Sequence, residues 1–193
     1  MDLIDQLVGI APGSALDAVR AQRAVAREHS QKSHEALFAP ADPGTFTPAE
    51  RHAVAAYVAA LHGEGPVAAH HAAELARHDA ALAQAVAAAA AATRTTGPYG
   101  RYPLGPLSRE DAPGPDPILP PEVAAALGPR LAAALLHAHF LVFHPRDAAA
   151  DRFAPLLAAG WTTDELVTLS QIVAFLTYQI RVVAGLRVLA AAG

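Results

Sequence analysis

The chain has 193 residues, is 53% hydrophobic with a mean hydropathy of +0.24, and carries 14 Lys+Arg against 18 Asp+Glu for a formal charge of −4. That length supports one domain with a substantial core, and the hydropathy excludes a solvated disordered chain. There is no cysteine, which excludes disulfides, thiolate metal sites and thiol redox chemistry, while arginines scattered rather than aligned argue against a nucleic-acid partner.

Aromatic residues make up only 6% of an Ala-rich chain. Ala has the best helix propensity and lets helices approach closely, so the expected fold class is all-α, in a single domain over 1–193. The first fourteen residues carry acids where a secretion signal carries positive charge, which predicts a mature, cytoplasmic protein. The longest uncharged apolar stretch of the C-terminal half, Leu166–Ile180, is 15 residues long. A membrane span needs about 20, so this stretch is expected to be a buried helix, and Ala80–Ala92 is too weakly hydrophobic to prefer lipid.

In chain order, residues 1–38 give two short helical patterns, with Leu3 and Leu7, then Leu16, Val19, Arg20 and Arg23, on either side of a Pro12-Gly13 break; residues 39–46 form a turn. Thr47 opens the first strong helix, with Pro48 at its first position and Glu50 completing a Thr-x-x-Glu capping box. Val54, Tyr57, Val58 and Leu61 share one face and are expected to be buried. Gly63, Gly65 and Pro66 end that helix and start the next, which runs to about Asp79, and an Ala-rich helix follows to about Thr93.

Residues 97–121 hold eight of the 16 prolines and four of the 13 glycines, which forbids a helix. The segment reads as a surface connector, as a cover for a cleft or a neighbouring subunit anchored by Tyr99, Arg101 and Tyr102, or as a linker between half-domains. Over residues 122–193 the pattern predicts a short helix, a Gly128-Pro129 break, a helix through Leu131, Leu135, Ala138 and Val142, and a helix from the His144-Pro145 break to Ala158. Gly160 then stops the chain in a left-handed cap. Thr162 to Glu165 form a second capping box that launches a helix to about Leu189. That helix is apolar around most of its circumference and is expected in the core or at a subunit contact. Arg181 within it requires a partner, for which Glu50, Glu64 and Asp164 are candidates.

Residues 47–75, TPAERHAVAAYVAALHGEGPVAAHHAAEL, thus hold a capped helix, a Gly-Pro turn and a second helix with adjacent histidines near its start. The layout resembles the active-site hairpin of the alkylhydroperoxidase/carboxymuconolactone decarboxylase-like proteins. In that hairpin two cysteines three residues apart stand at the turn, and a histidine follows one helical turn beyond the second. Residues 156–186 resemble the closing segment of the peroxidase-related branch, with Arg181 kept and Ile180 where that branch has asparagine. The resemblance covers roughly residues 40–190. It implies an alkylhydroperoxidase D-like helical domain of antioxidant-defence descent, with the active-site region at 47–96. It also implies a homo-oligomer (a dimer, trimer or hexamer) and no cofactor.

Two alignments of the site are open. In the preferred one the cysteine positions become Glu64 and Val67, the histidine becomes His71 and the relay position becomes His52; in the other they become Gly63, Pro66 and His70. In that family a thiolate activated by a Glu-His relay attacks peroxide, and neither Glu nor Val can replace the sulfur that is oxidised. A peroxidase cycle by this chain alone is therefore excluded unless a partner, such as a cysteine-bearing homologue, supplies the thiol.

Three functional readings follow. The first is a binding or assembly subunit without thiol chemistry. The second is an acid–base enzyme using His71, Glu64 and His52 on a lactone-like or other small carbonyl compound. The third is a metal protein built on His52, His62, Glu64, His70, His71, Glu74 and His78, although no spacing there matches a known metal motif. Against all three stands the simpler expectation of surface or capped histidines, extended to His137, His139 and His144 near the end of their helix.

Overall fold

The computed structural model describes residues 2–63 and 65–192. Nine α-helices run through the described residues: α1 (Leu3–Val8), α2 (Ala15–Ala21), α3 (Ala24–Phe38), α4 (Pro48–Leu61), α5 (Pro66–His78), α6 (Ala80–Thr93), α7 (Pro121–Phe143), α8 (Ala154–Ala158) and α9 (Thr163–Ala192). No strand occurs among them, and Gly100 and Ala112 form an isolated bridge. The all-α expectation holds.

The helix α4 lies at the centre, with α3, α5, α6, α7 and α9 packed around it. Val54, Tyr57, Val58 and Leu61 are buried as expected, but so is every other residue from Arg51 to Leu61 except the half-buried Ala60. Burial on all sides is possible because Ala53, Ala55, Ala56 and Ala59 separate the large residues, so neighbouring backbones can come close. The Tyr57 hydroxyl, pushed up to about 12 by burial, meets Thr93 Oγ1 at 2.7 Å and fastens α4 to the end of α6.

Two capping boxes set the helix starts, and one arginine joins them. Thr47 N–H donates to Glu50 Oε2 at 2.9 Å and Glu50 N–H to Thr47 Oγ1 at 3.2 Å. Thr162 and Glu165 make the same exchange at 2.8 and 3.3 Å. Arg130 donates to Glu50 at 2.9 Å and to Glu165 at 2.6 Å, and its guanidinium lies 4.0 Å over the Trp161 ring. Arg130 follows the break in α7, where Gly128 takes φ +73°, a conformation a Cβ would strain.

Several expectations are corrected. Residues 1–38 form three helices, not two. An ion-pair cluster holds them together: Arg20 reaches Asp5 at 2.5 Å and Asp2 at 3.0 Å, and Arg27 reaches Asp17 at 2.8 Å, Asp2 at 3.1 Å and also Asp5. The expected helix from Pro145 to Ala158 is instead two 3₁₀ turns, Pro145–Asp147 and Ala150–Phe153, followed by the five residues of α8. The predicted left-handed stop at Gly160 is present, with φ +87°.

The helix α9 is not buried all round. Leu166, Leu169, Ile172, Val173, Leu176, Gln179 and Val183 face the core, while Val167, Tyr178, Val188 and Leu189 are exposed. Arg181 is exposed as well and donates to the Thr177 carbonyl of its own helix at 2.8 Å, so it needs none of the carboxylates expected for it. Leu166–Ile180 lies within a helix whose most apolar 18-residue window has mean hydropathy 1.6 and is 28% buried. By length and composition both α7 and α9 could cross a membrane.

Residues 97–120 contain no α-helix, only a 3₁₀ turn at Pro106–Glu110, and Pro121 opens α7. They are tied to the C-terminal end of α7. Tyr99 N–H donates to the Phe143 carbonyl at 2.6 Å, Arg101 N–H to Asp147 at 3.0 Å, and Arg146 lies 4.2 Å over the Tyr102 ring. The connector is therefore docked, with Tyr99, Arg101 and Tyr102 as anchors. Gly114 packs so closely on Tyr99 that a Cβ there would come within 2.2 Å of the ring. Gly114→Ala is expected to displace Tyr99 and lower stability by about 1–3 kcal/mol, read as the midpoint of urea unfolding; an unchanged midpoint would show that Tyr99 is not an anchor.

Candidate functional site

The turn between α4 and α5 and the helix faces behind it carry the candidate residues. Gly65 and Pro66 start α5, and its buried face follows at one-turn intervals as Val67, His71 and Leu75. Both Val67 and the alternative positions Gly63 and Pro66 line a cavity of about 130 Å³ at the turn, closed by Ala59, His62, Ile180 and Val183. Glu64, a candidate in the preferred alignment, lies outside the described residues.

One turn along α5 from that cavity, three helices bring histidine rings together around Phe38 of α3. The Phe38 ring centre lies 5.0 Å from His34, 5.3 Å from His52 and 5.0 Å from His71. His52 and His71 are 6.0 Å apart and His70 and His71 4.9 Å. His52 also stacks on the exposed His78 at 5.3 Å.

His71 is 0% exposed and His52 7%. The expectation of surface histidines thus fails for these two, whereas His70 is half-buried and His78 exposed. The buried side chain of Gln179 is the polar neighbour of His71, in a contact that falls short of good hydrogen-bond geometry, while His52 Nδ1 and His34 Nδ1 are buried without a partner. Glu74 pairs with Arg77 outside the cluster, and His62 Nδ1 bonds the Val58 carbonyl at 2.9 Å.

Burial is the main electrostatic force here. It lowers His71 well below the ordinary imidazole value, with His70, His52 and His34 adding to the shift and Gln179 of α9 opposing them. His52 is lowered to about 4 by burial and then by His78, and His34 to about 4 by burial and then by His70. Burial also lowers His70, against the pull of Glu74. At neutral pH these rings are uncharged, each with one N–H donor and one lone-pair acceptor. An imidazole with so low a pKa is a weak general base. It can still exchange hydrogen bonds with a neutral molecule.

The structure therefore brings together His52, His70 and His71, as two helices opening on a Gly-Pro turn would suggest, and adds His34, which sequence reasoning missed. Its signal was present: His34 lies four residues from both Ser30 and Phe38, on the buried face of α3. The rings meet by faces and edges, and among the described residues no three His, Asp or Glu side chains are placed to hold one metal ion.

The second histidine group serves the fold. His139 Nε2 meets the Thr93 carbonyl at 2.9 Å, and His144 meets Asp147 and the Pro115 carbonyl, both at 3.3 Å. His137 borders a cleft of about 660 Å³ between Pro117, Phe140, Arg152 and Pro155. No family model matches this chain, and no curated protein or solved structure shows significant similarity to it.

Proposed function

We propose that the chain is a cysteine-free member of the alkylhydroperoxidase/carboxymuconolactone decarboxylase-like class, of antioxidant-defence descent. In this reading it has no thiol peroxidase activity of its own and serves as a homo-oligomeric binding subunit. The ligand is a small, uncharged, hydrogen-bonding molecule of the carbonyl or lactone type, admitted at the α4–α5 turn. The observation that carries the reading is His71, fully buried with only the poorly aligned Gln179 side chain to serve its two nitrogens, one helical turn beyond the cavity-lining Val67. A buried polar group short of a partner costs about 1–3 kcal/mol, a cost that hydrogen bonds from a bound ligand would offset. The low pKa values favour binding by neutral imidazoles over the acid–base enzyme, because a base that weak contributes little to proton abstraction.

Replacing His71 with Leu removes two poorly satisfied buried nitrogens at similar volume. His71→Leu is expected to leave stability unchanged or raise it by about 1 kcal/mol. It should also abolish the ring shift that γ-butyrolactone produces at His52 of the parent in histidine-ring NMR. Loss of several kcal/mol in the variant, or a parent spectrum unmoved by the lactone, would overturn the binding site. Steady peroxide consumption by the purified chain with dithiothreitol would overturn the absence of peroxidase activity.

A further inference from the structure

The cleft of about 660 Å³ beside His137 shares no lining residue with the cavity at the α4–α5 turn. One wall is a face of α7, on which Ala132, Ala133, Leu136 and Phe140 recur at helical spacing. The two alanines are short, and they leave the hollow between Pro129 and Leu136. Pro117 of the connector and Pro155 of α8 contribute the other walls. Proline has no side-chain freedom to lose, and His144 holds the Pro115 carbonyl at 3.3 Å. The cleft is therefore formed before any ligand arrives.

Its rim carries both signs of charge. Arg152 lies 4.6 Å over the Phe140 ring, which places its guanidinium above the apolar wall. It approaches Asp116 only to 4.0 Å, beyond hydrogen-bond range, and the two side chains stay open to water at 46% and 85% exposure. Asp151, also lining the cleft, is exposed. The wall itself is aromatic: the His137 and Phe140 rings stand 6.4 Å apart and 25° from parallel. His137 is buried, and burial lowers its pKa, so the ring is uncharged at neutral pH. Unlike the Nε2 atoms of His139 and His144, that of His137 has no hydrogen-bond partner and ties no other element in place.

We propose that this cleft binds a free aromatic α-amino acid. An acid and a base 4.0 Å apart form a side-by-side dipole. The head group of an α-amino acid carries its own two charges side by side, separated by one carbon, and fits that dipole in the reverse sense. Its carboxylate faces Arg152, whose planar fork suits bidentate hydrogen bonding. Its ammonium faces Asp116, with Asp151 adding to the attraction. The aromatic side chain lies along the wall at His137 and Phe140. An amine alone would leave the Arg152 fork unused, and a carboxylate alone would meet Asp116 and Asp151 as like charges. The site stands apart from the His71 cavity, and neither depends on the other.

Histidine-ring NMR of the full chain reads His137 directly. L-phenylalanine is expected to shift the His137 signals, with phenethylamine and 3-phenylpropionate each binding about tenfold more weakly. Arg152→Gln should weaken L-phenylalanine about tenfold and leave phenethylamine unchanged, whereas Asp116→Asn should weaken both. The two substituted side chains are exposed, so the unfolding midpoint should not move. In both variants the γ-butyrolactone shift at His52 should persist, which separates this cleft from the histidine cluster. A His137 signal unmoved by L-phenylalanine at about 10 mM, the weak end of specific binding, would overturn the site. Equal affinity for the three ligands, or full L-phenylalanine affinity in Arg152→Gln, would overturn recognition of the head group.

Discussion

Acidification from pH 7 to pH 4 is expected to remove several kcal/mol of stability, most of it above pH 4.5. His34, His52 and His71 have folded-state pKa values below the ordinary imidazole value, because burial disfavours their charged forms. His70, His137 and His139 are lowered in the same direction. A lowered histidine is neutral in the fold while the unfolded chain takes up its proton. Stability therefore falls as pH drops below about 6.5 and stops falling near the folded value. Each such group contributes a slope of up to about 1.4 kcal/mol per pH unit, less for the half-buried His34, whose charge water partly screens.

Below about pH 4.5 a second loss begins. Burial raises Glu165, but hydrogen bonds from Thr162, Thr45 and Arg130 outweigh it and hold the carboxyl at about 2. That contribution is complete above the ordinary carboxylate value and disappears as pH falls toward 2. Guanidinium unfolding at each pH reads both losses. A His34→Gln/His52→Gln double variant should flatten the slope between pH 6.5 and 4. A parent whose unfolding midpoint stays level from pH 7 to 5 would refute the buried neutral cluster.

Removing Arg130 is expected to cost about 2–4 kcal/mol, since it leaves two carboxylates short of a partner and uncovers Trp161. For a chain of this length that lowers the thermal midpoint by roughly 4–16 °C. Glu165 is only 8% exposed, so Arg130→Ala strands a charge that has little access to water. Arg130→Lys should recover part of the loss, because an ammonium cannot match two carboxylates and a ring with a planar fork. In a double-mutant cycle, Arg130→Ala and Glu165→Gln should couple by more than about 1 kcal/mol. A fall of only a few tenths in Arg130→Ala would mean that each capping box holds its helix unaided.

The elements of this protein were largely present in local chemistry. Thr47-Pro48-x-Glu50 and Thr162-x-x-Glu165 fix helix starts through hydrogen bonds that span three residues. Gly160 and the Gly128-Pro129 step end helices for reasons internal to the backbone, and the absence of cysteine alone removes thiol chemistry. The α4–α5 hairpin was legible on the same grounds, and with it the placing of His52, His70 and His71 near one turn.

Tertiary packing decided the rest. Periodicity gave α4 one buried face, but its alanines let five helices surround it, and Arg51 and His52 were enclosed with the others. Conversely, α9 has the composition of a core helix and leaves a full stripe in the open, so Arg181 reaches solvent and needs no partner. His34 entered the cluster because α3 lies across the hairpin, a contact between residues far apart in sequence. Hydrophobic pattern states which side chains gain by leaving water, whereas the order in which helices stack determines which of them can. The burial of His71, with only Gln179 of α9 near its nitrogens, follows from that stacking and from nothing in its immediate neighbours along the chain.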